Sequence, residues 1–280
     1  MIRREKAGVA YDVFASFEES PGSDTLVHAV LTRHGGQSRP PYAALNLGHL
    51  VGDDPAAVEA NHVRVYAALG LRRERVVTVH QVHGDHVVRA TLADGGGCAE
   101  GGSLIPATDA LISDTPGLAL LLRFADCVPV LFYDPVRRAV GLAHAGWQGT
   151  LKGIAGKTAL AMQTILGCRA SDLRTGIGPS IGPCCCEMGP EVLAQFRAAY
   201  ANLDAFLTPT TADKARLDLW RLNAWQLEQA GVTQIEVAGA CTVCQRHDYF
   251  SHRGENGVTG RFGAVIGLIA EADTPNARSS

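Results

Sequence analysis

The residues of this sequence best suited to chemistry are two histidines and a cysteine, far apart in the chain but in similar surroundings. Gln81-Val82-His83-Gly84, Ala125-Asp126-Cys127-Val128-Pro129 and Ala143-His144-Ala145-Gly146-Trp147 each put an imidazole or a thiol where an apolar run meets a turn. That is where α/β folds gather functional groups. A Cys/His/His set with one position left open is what a catalytic zinc site requires, whereas a closed structural site needs a fourth protein ligand. The same atoms suit a hydrolase in which His83 or His144 activates the Cys127 thiolate as a nucleophile. They also suit a buried thiol beside two hydrogen-bonded core histidines. Spacing alone leaves the three open. Asp126, next to Cys127, either accepts from a metal-bound histidine or caps the following turn.

Further candidates lie in glycine-bordered turns. Arg33, His34, Arg253 and Arg261 carry charges that can clamp a phosphate or a ribose hydroxyl, or simply remain solvated. Trp147, beside His144, either stacks on a planar ligand or packs in the core. Cys184, Cys185 and Cys186 are adjacent, so all three cannot easily reach one small ion, and a reactive or packed thiol is expected. Cys241 and Cys244 have CxxC spacing but no second such pair, which favours a structural role.

The elements that must hold these groups are read from hydrophobic period and punctuation. Leu26 to Leu31 reads as a strand running into Thr32-Arg33-His34-Gly35-Gly36. Asp53-Asp54-Pro55 starts a helix to about Gly70, with Val58, Val65 and Leu69 as its buried stripe. Val76 to Val79 and Val87 to Ala90 read as short strands flanking His83. Leu118 to Leu122, Val128 to Tyr133 and Ala139 to Ala143 read together as the centre of one sheet. One helix is expected from Gly149 to about Leu166, and others over Pro190 to Tyr200 and Leu217 to Ala230. Strands are expected at Leu173 to Ile177, Ile235 to Ala240 and Ala264 to Ile269. The glycine-rich stretch Leu92 to Pro106 reads as a surface loop.

Composition narrows the classes. A net charge of −3 and a pI near 6.4 argue against a polyanion-binding surface, so a small substrate and no nucleic acid are expected. No apolar run reaches the ~18 residues of a membrane span, and no signal peptide follows the basic start. A cytoplasmic location is the default. Eight cysteines in 280 residues are too few for a disulfide scaffold and read as thiols or metal ligands.

Taken in order, the strings Thr32-Arg33-His34-Gly35-Gly36, Leu45-Asn46-Leu47-Gly48, Val51-Gly52-Asp53-Asp54, Gln81-Val82-His83-Gly84, Thr108-Asp109-Ala110, Ala125-Asp126-Cys127-Val128-Pro129-Val130, His144-Ala145-Gly146-Trp147, Ile181-Gly182-Pro183-Cys184-Cys185 and Cys241-Thr242 resemble those of the YfiH-like, or laccase-domain, proteins, also labelled multicopper polyphenol oxidoreductases. The resemblance covers roughly positions 30 to 270. It implies an α/β (α+β) fold of mixed β-sheets layered with helices. It also implies Zn2+ held by His83, Cys127 and His144, with Arg33, His34 and Asn46 near the site. The activity it implies is phosphorolysis of adenosine, inosine and guanosine, with adenosine deaminase as a side activity. A single catalytic domain is expected over 26–272, with 1–25 as an N-terminal extension, 273–280 as a flexible tail, and a monomer or weak homo-oligomer.

The sequence departs from the family pattern in four places. Gln148 stands where arginine is common, and Cys186 where an aromatic residue is. Arg123-Phe124 replaces smaller residues, and Ser251-His252-Arg253-Gly254 replaces Ser-Tyr-Arg-Arg. Loss of an arginine at 148 weakens an anion site unless Arg123 compensates. Copper oxidation is the rival chemistry, but the ten histidines form no series of closely spaced His-x-His pairs. A non-catalytic metabolite-binding or quality-control role is the rival outside enzymology.

Overall fold

The computed structural model describes residues 1–96 and 105–270. Part of the glycine loop, 97–104, and the expected tail at 273–280 lie outside the described residues. Two six-stranded sheets pack face to face. The first runs, in spatial order, Ile2–Lys6, Val9–Val13, Leu26–Leu31, Phe262–Leu268, Ala119–Phe124 and Val76–Val77. The second runs Gln234–Val237, Arg174–Ile177, Val128–Asp134, Ala139–Ala145, Ala110–Ser113 and Val87–Arg89. Each is antiparallel in its middle and ends on a parallel pair, Val76–Val77 beside Ala119–Phe124 in the first and both edges of the second. The fold is thus mixed α/β, as the resemblance implied.

Alternation along the central strands explains why they are almost continuously apolar and buried. In Ala119–Phe124, Leu120, Leu122 and Phe124 meet Leu111, Leu131, Tyr133, Val140 and Leu142 of the second sheet. The intervening Ala119 and Leu121 face Val65, Tyr66 and Ala68 of the helix Pro55–Leu69. On the far side, Val128, Val130, Phe132 and Ala143 pack on Ile154, Ala159, Met162, Leu222 and Leu227 of the helices Ile154–Leu166 and Leu219–Gln229. Period-2 strands buried on both faces show no polar stripe. The result is a helix, sheet, sheet, helix layering. Among the described residues no helix is long and apolar enough to cross a membrane.

Three details correct the reading from sequence. Leu118 to Leu122 does not share a sheet with Val128 to Tyr133 and Ala139 to Ala143, because the chain crosses between sheets at Ala125–Cys127. The helix expected from Gly149 to Leu166 is two, Trp147–Leu151 and Ile154–Leu166, broken where Gly153 takes φ +79°. A left-handed residue cannot continue an α-helix, and glycine occupies that region without a Cβ clash. In helix Pro55–Leu69 the buried side includes Asn61 and His62, while Leu69 is only partly buried. Asn61 donates to Ser38 Oγ and to the carbonyls of Ala44 and Asn46, and His62 bonds the Leu47 carbonyl. These polar residues hold the 37–48 loop, which periodicity does not reveal. The helix start is as expected, with Asp54 accepting from Ala56 N at 3.0 Å.

Candidate metal centre and its pocket

The site sits at the rim between the two sheets, where the chain crosses from one to the other. Residues 78–86 connect Val76–Val77 of the first sheet to Val87–Arg89 of the second, and carry His83. Residues 125–127 connect Ala119–Phe124 to Val128–Asp134, and carry Cys127. His144 lies near the end of Ala139–Ala145, opposite Pro129, on the face it shares with Val140 and Leu142. Its ring packs 5.3 Å from Phe124 of the first sheet.

The three ligand atoms of His83, Cys127 and His144 all lie within 4.8 Å of one another. The two imidazoles meet edge to face at 4.9 Å between centroids. Gly146 makes the approach possible, since a Cβ there would stand 2.9 Å from His83 Cδ2 and 3.0 Å from Cys127 Sγ. Burial alone would raise the Cys127 thiol, but the charge and hydrogen bonds of His144, and then of His83, bring it down to about 6. Burial would lower His144, but the Cys127 thiolate and Asp109 raise it to about 9. A thiolate between two imidazoles, with one side open, is a donor set that fits a divalent metal ion.

Asp109 organises this trio and was not among the residues singled out from sequence. Its fully buried carboxylate accepts from His144 Nδ1 at 2.8 Å and from the backbone N–H groups of Val82, His83 and Gly84 at 3.1, 3.0 and 2.6 Å. Burial would raise its pKa, but these donors hold it below the ordinary value. The only signal in sequence was the Thr108-Asp109-Ala110 string, a polar pair opening the apolar strand Ala110–Ser113. Asp109 fills the histidine-orienting role that was one of two expected for Asp126. Asp126 instead takes φ +85° and accepts from Thr242 Oγ1, Ser251 Oγ and Arg253 N at 2.7, 2.7 and 2.6 Å. It ties the crossover to two distant loops.

A cavity of about 660 Å³ opens over the trio. Arg253 and Arg261 line it, as do Arg123, Trp147, His80 and His252. The three guanidinium groups are held by carbonyls: Arg123 by Val79 O at 2.7 Å, Arg253 by Cys185 O and Glu187 O, Arg261 by Thr259 O and Gly260 O. Among the described residues none of the three forms an ion pair. Trp147 both lines the cavity and packs on the core. Gln148 is exposed and is not part of the cavity wall, whereas Arg123 is.

The remaining expected residues stand outside the cavity. Arg33 donates to the Ala43 and Arg246 carbonyls, pairs with Glu255 at 3.0 Å and stacks over Phe250. His34 bonds Asp248 at 3.0 Å. Asn46 is fully buried and receives Gly48 N and Arg261 N on its side-chain oxygen at 2.9 and 2.8 Å. It therefore shapes the cavity wall through Gly48 and Arg261 without facing the cavity itself.

Residues 27–269 match the family model described as multi-copper polyphenol oxidoreductase laccase. The chain is 40% identical over 249 residues to a protein of Geobacillus stearothermophilus named purine nucleoside phosphorylase YlmD, covering 88% of this chain and 91% of that one. It is likewise 40% identical over 253 residues to a purine nucleoside phosphorylase of Deinococcus radiodurans, covering 90% and 93%. The crystal structure of the Geobacillus YlmD superposes with a TM-score of 0.88 at 38% identity, covering 96% and 99%. That of a hypothetical protein YfiH from Bacillus licheniformis gives 0.88 at 36%, covering 95% and 98%. With a two-sheet scaffold, a Cys/His/His rim and relatives matched over most of their length, this chain belongs to the multi-copper polyphenol oxidoreductase laccase family, that of the YfiH and YlmD proteins.

Proposed function

We propose that this protein is a zinc-dependent purine nucleoside phosphorylase, converting adenosine, inosine or guanosine and phosphate to the free base and ribose 1-phosphate, with adenosine deaminase as a side activity. The observation that carries the reading is three arginines that form no ion pair among the described residues, around a cavity floored by Cys127, His83 and His144. The names of the relatives support the same reaction class. His83, Cys127 and His144 would hold the zinc ion, which when bound supplies Lewis-acid polarisation of an oxygen at the cavity floor.

The chain's own residues do the rest. Arg123, Arg253 and Arg261 hold inorganic phosphate by charge-assisted hydrogen bonds and present one of its oxygens to the anomeric carbon of the ribose. The carbon–nitrogen bond to the base breaks as the carbon–oxygen bond to hydrogen phosphate forms, and the proton that the phosphate gives up ends on the departing base. Trp147 supplies a flat apolar wall for the purine. Asp109 holds the two histidines in place through the cycle and keeps the proton of His144 on Nδ1, because a carboxylate only accepts. Adenosine incubated with phosphate should yield adenine, and without phosphate only inosine. Absence of product in both would end this reading.

A second reading has one specific observation in its favour. The Cys127, His144 and Asp109 series, with the thiol brought down to about 6, is also the arrangement of a thiol hydrolase. Alkylation separates the two. A metal-held Cys127 resists iodoacetamide until a chelator is added, whereas a catalytic thiolate reacts at once.

A further inference from the structure

Four cysteines whose thiols take no part in the site above meet on a neighbouring surface. Cys184 and Cys185 belong to the turn in which Cys185 N and Cys186 N both bond Gly182 O. Cys241 and Cys244 form the CxxC turn closed by Gln245 N on Cys241 O. The two loops are laced together by backbone bonds, Ser180 N to Ala240 O at 3.1 Å and Thr242 N to Ser180 O at 3.0 Å. The lacing brings the sulfurs of Cys184, Cys185, Cys241 and Cys244 all within 4.8 Å of one another. Cys184 Sγ and Cys185 Sγ each lie 3.6 Å from Cys244 Sγ.

We propose that these four thiols form a second metal site, a closed tetrathiolate that takes Zn2+ and ties the 180–186 loop to the 241–245 loop. At a zinc–sulfur distance of about 2.3 Å the edge of a tetrahedron is about 3.8 Å, close to the 3.6 Å separations. Hydrophobic packing does not account for the cluster. Cys184 and Cys244 are exposed, and a thiol that behaves as a small hydrophobe is normally buried. Cys186 does behave that way: it is the next residue in the same loop, fully buried, and not part of the four-thiol group. Cys241 Sγ also accepts the backbone N–H of Gly182 at 3.3 Å, a bond that suits a metal-bound thiolate.

Four sulfurs leave no open position, so the ion acts as a tie rather than a reagent. The tie bears on the cavity through short paths. Thr242, next to Cys241, donates to Asp126, Ile181 N bonds the Asp126 carbonyl at 2.9 Å, and Arg253 donates to the Cys185 carbonyl at 3.3 Å. The 180–186 loop, which lines the cavity through Ile181 and Cys186, is thereby held to its neighbour at one point. The inference does not depend on the reaction proposed above, since it concerns different atoms.

The test uses the full chain purified under reducing conditions without chelator. Elemental analysis of wild type, Cys244→Ser and Cys127→Ala reads the two centres separately. Cys244→Ser should lose one equivalent of zinc relative to wild type whatever the Cys127 centre holds, and Cys184→Ser should do the same. In native wild type, iodoacetamide with mass mapping should leave Cys184 and Cys244 unmodified until a zinc chelator is added, a reading that needs no variant to fold. Chelation should lower the melting temperature of Cys127→Ala more than that of Cys244→Ser. Zinc content unchanged in Cys244→Ser, iron in place of zinc, rapid alkylation of Cys184 and Cys244 without chelator, or a disulfide among the four would each overturn the proposal.

Discussion

Asp109 and His144 are joined twice, side chain to side chain at 2.8 Å and His144 N to Asp109 O at 2.7 Å. Because the same carboxylate also gathers the N–H groups of Val82, His83 and Gly84, one residue orients the His144 ring and fixes the backbone turn that carries His83. Asp109→Asn keeps the size but supplies only one accepting oxygen for four donors. We expect metal affinity to fall about 10- to 100-fold, read by competition with a chelator of known affinity. Unchanged affinity would remove Asp109 from the site.

Gly146 leaves no room for a methyl group, given contacts of 2.9 and 3.0 Å to His83 and Cys127. Gly146→Ala must push one ligand aside. Turnover should drop at least about tenfold, the scale of a small misplacement of reacting groups, while unfolding free energy changes by no more than about 1–3 kcal/mol. Full activity in a folded Gly146→Ala protein would contradict the placement of the trio.

The arginines divide by partner. Arg253→Ala and Arg261→Ala remove charges that form no ion pair among the described residues, so each should raise KM for phosphate about 10- to 100-fold, the scale of a charged hydrogen bond, with less effect on KM for the nucleoside. Arg33→Ala breaks the pairing with Glu255 and the stack on Phe250, so it should lower the melting temperature and leave KM for phosphate nearly unchanged. The opposite pattern would restore Arg33 to the cavity and displace the other two.

Two buried histidines make the fold sensitive to mild acid. Burial lowers His28 from 6.5 to about 4, with its Nε2 accepting from Phe14 N at 3.0 Å. Burial, then the charges of His49 and Arg123, lowers His62 to about 3. Both folded-state values lie below that of the unfolded chain, which therefore binds protons first as pH falls. Stability is complete above about 6.5 and is lost progressively towards pH 4, by a few kcal/mol in all. Urea midpoints at pH 7 and pH 5 should show the fall, and His28→Gln, which can still accept from Phe14 N, should flatten it. An equal slope in the variant would assign the loss to other groups.

By itself the sequence determined where the apolar strands and the capped helix lie, and which histidines and cysteine stand at strand ends. Those are local properties: the run Leu26 to Leu31, the Asp54-Pro55 start and the His83, Cys127 and His144 turns are each written within a few neighbouring residues. Pairing of sheets was decided only in three dimensions. Ala119–Phe124 and Val128–Asp134 are both apolar on both faces, so nothing in their pattern says that the three residues between them cross from one sheet to the other. The same holds for charge. Asp109 and Asp126 are alike as residue types, and which one holds a histidine depends on donors from 25 to 127 positions away. Arg33 and Arg261 look equivalent beside their glycines, yet the folded chain ties one to Glu255 and turns the other to the cavity. A side chain's partner is a property of folded distance, and sequence spacing does not encode that distance beyond the length of one turn.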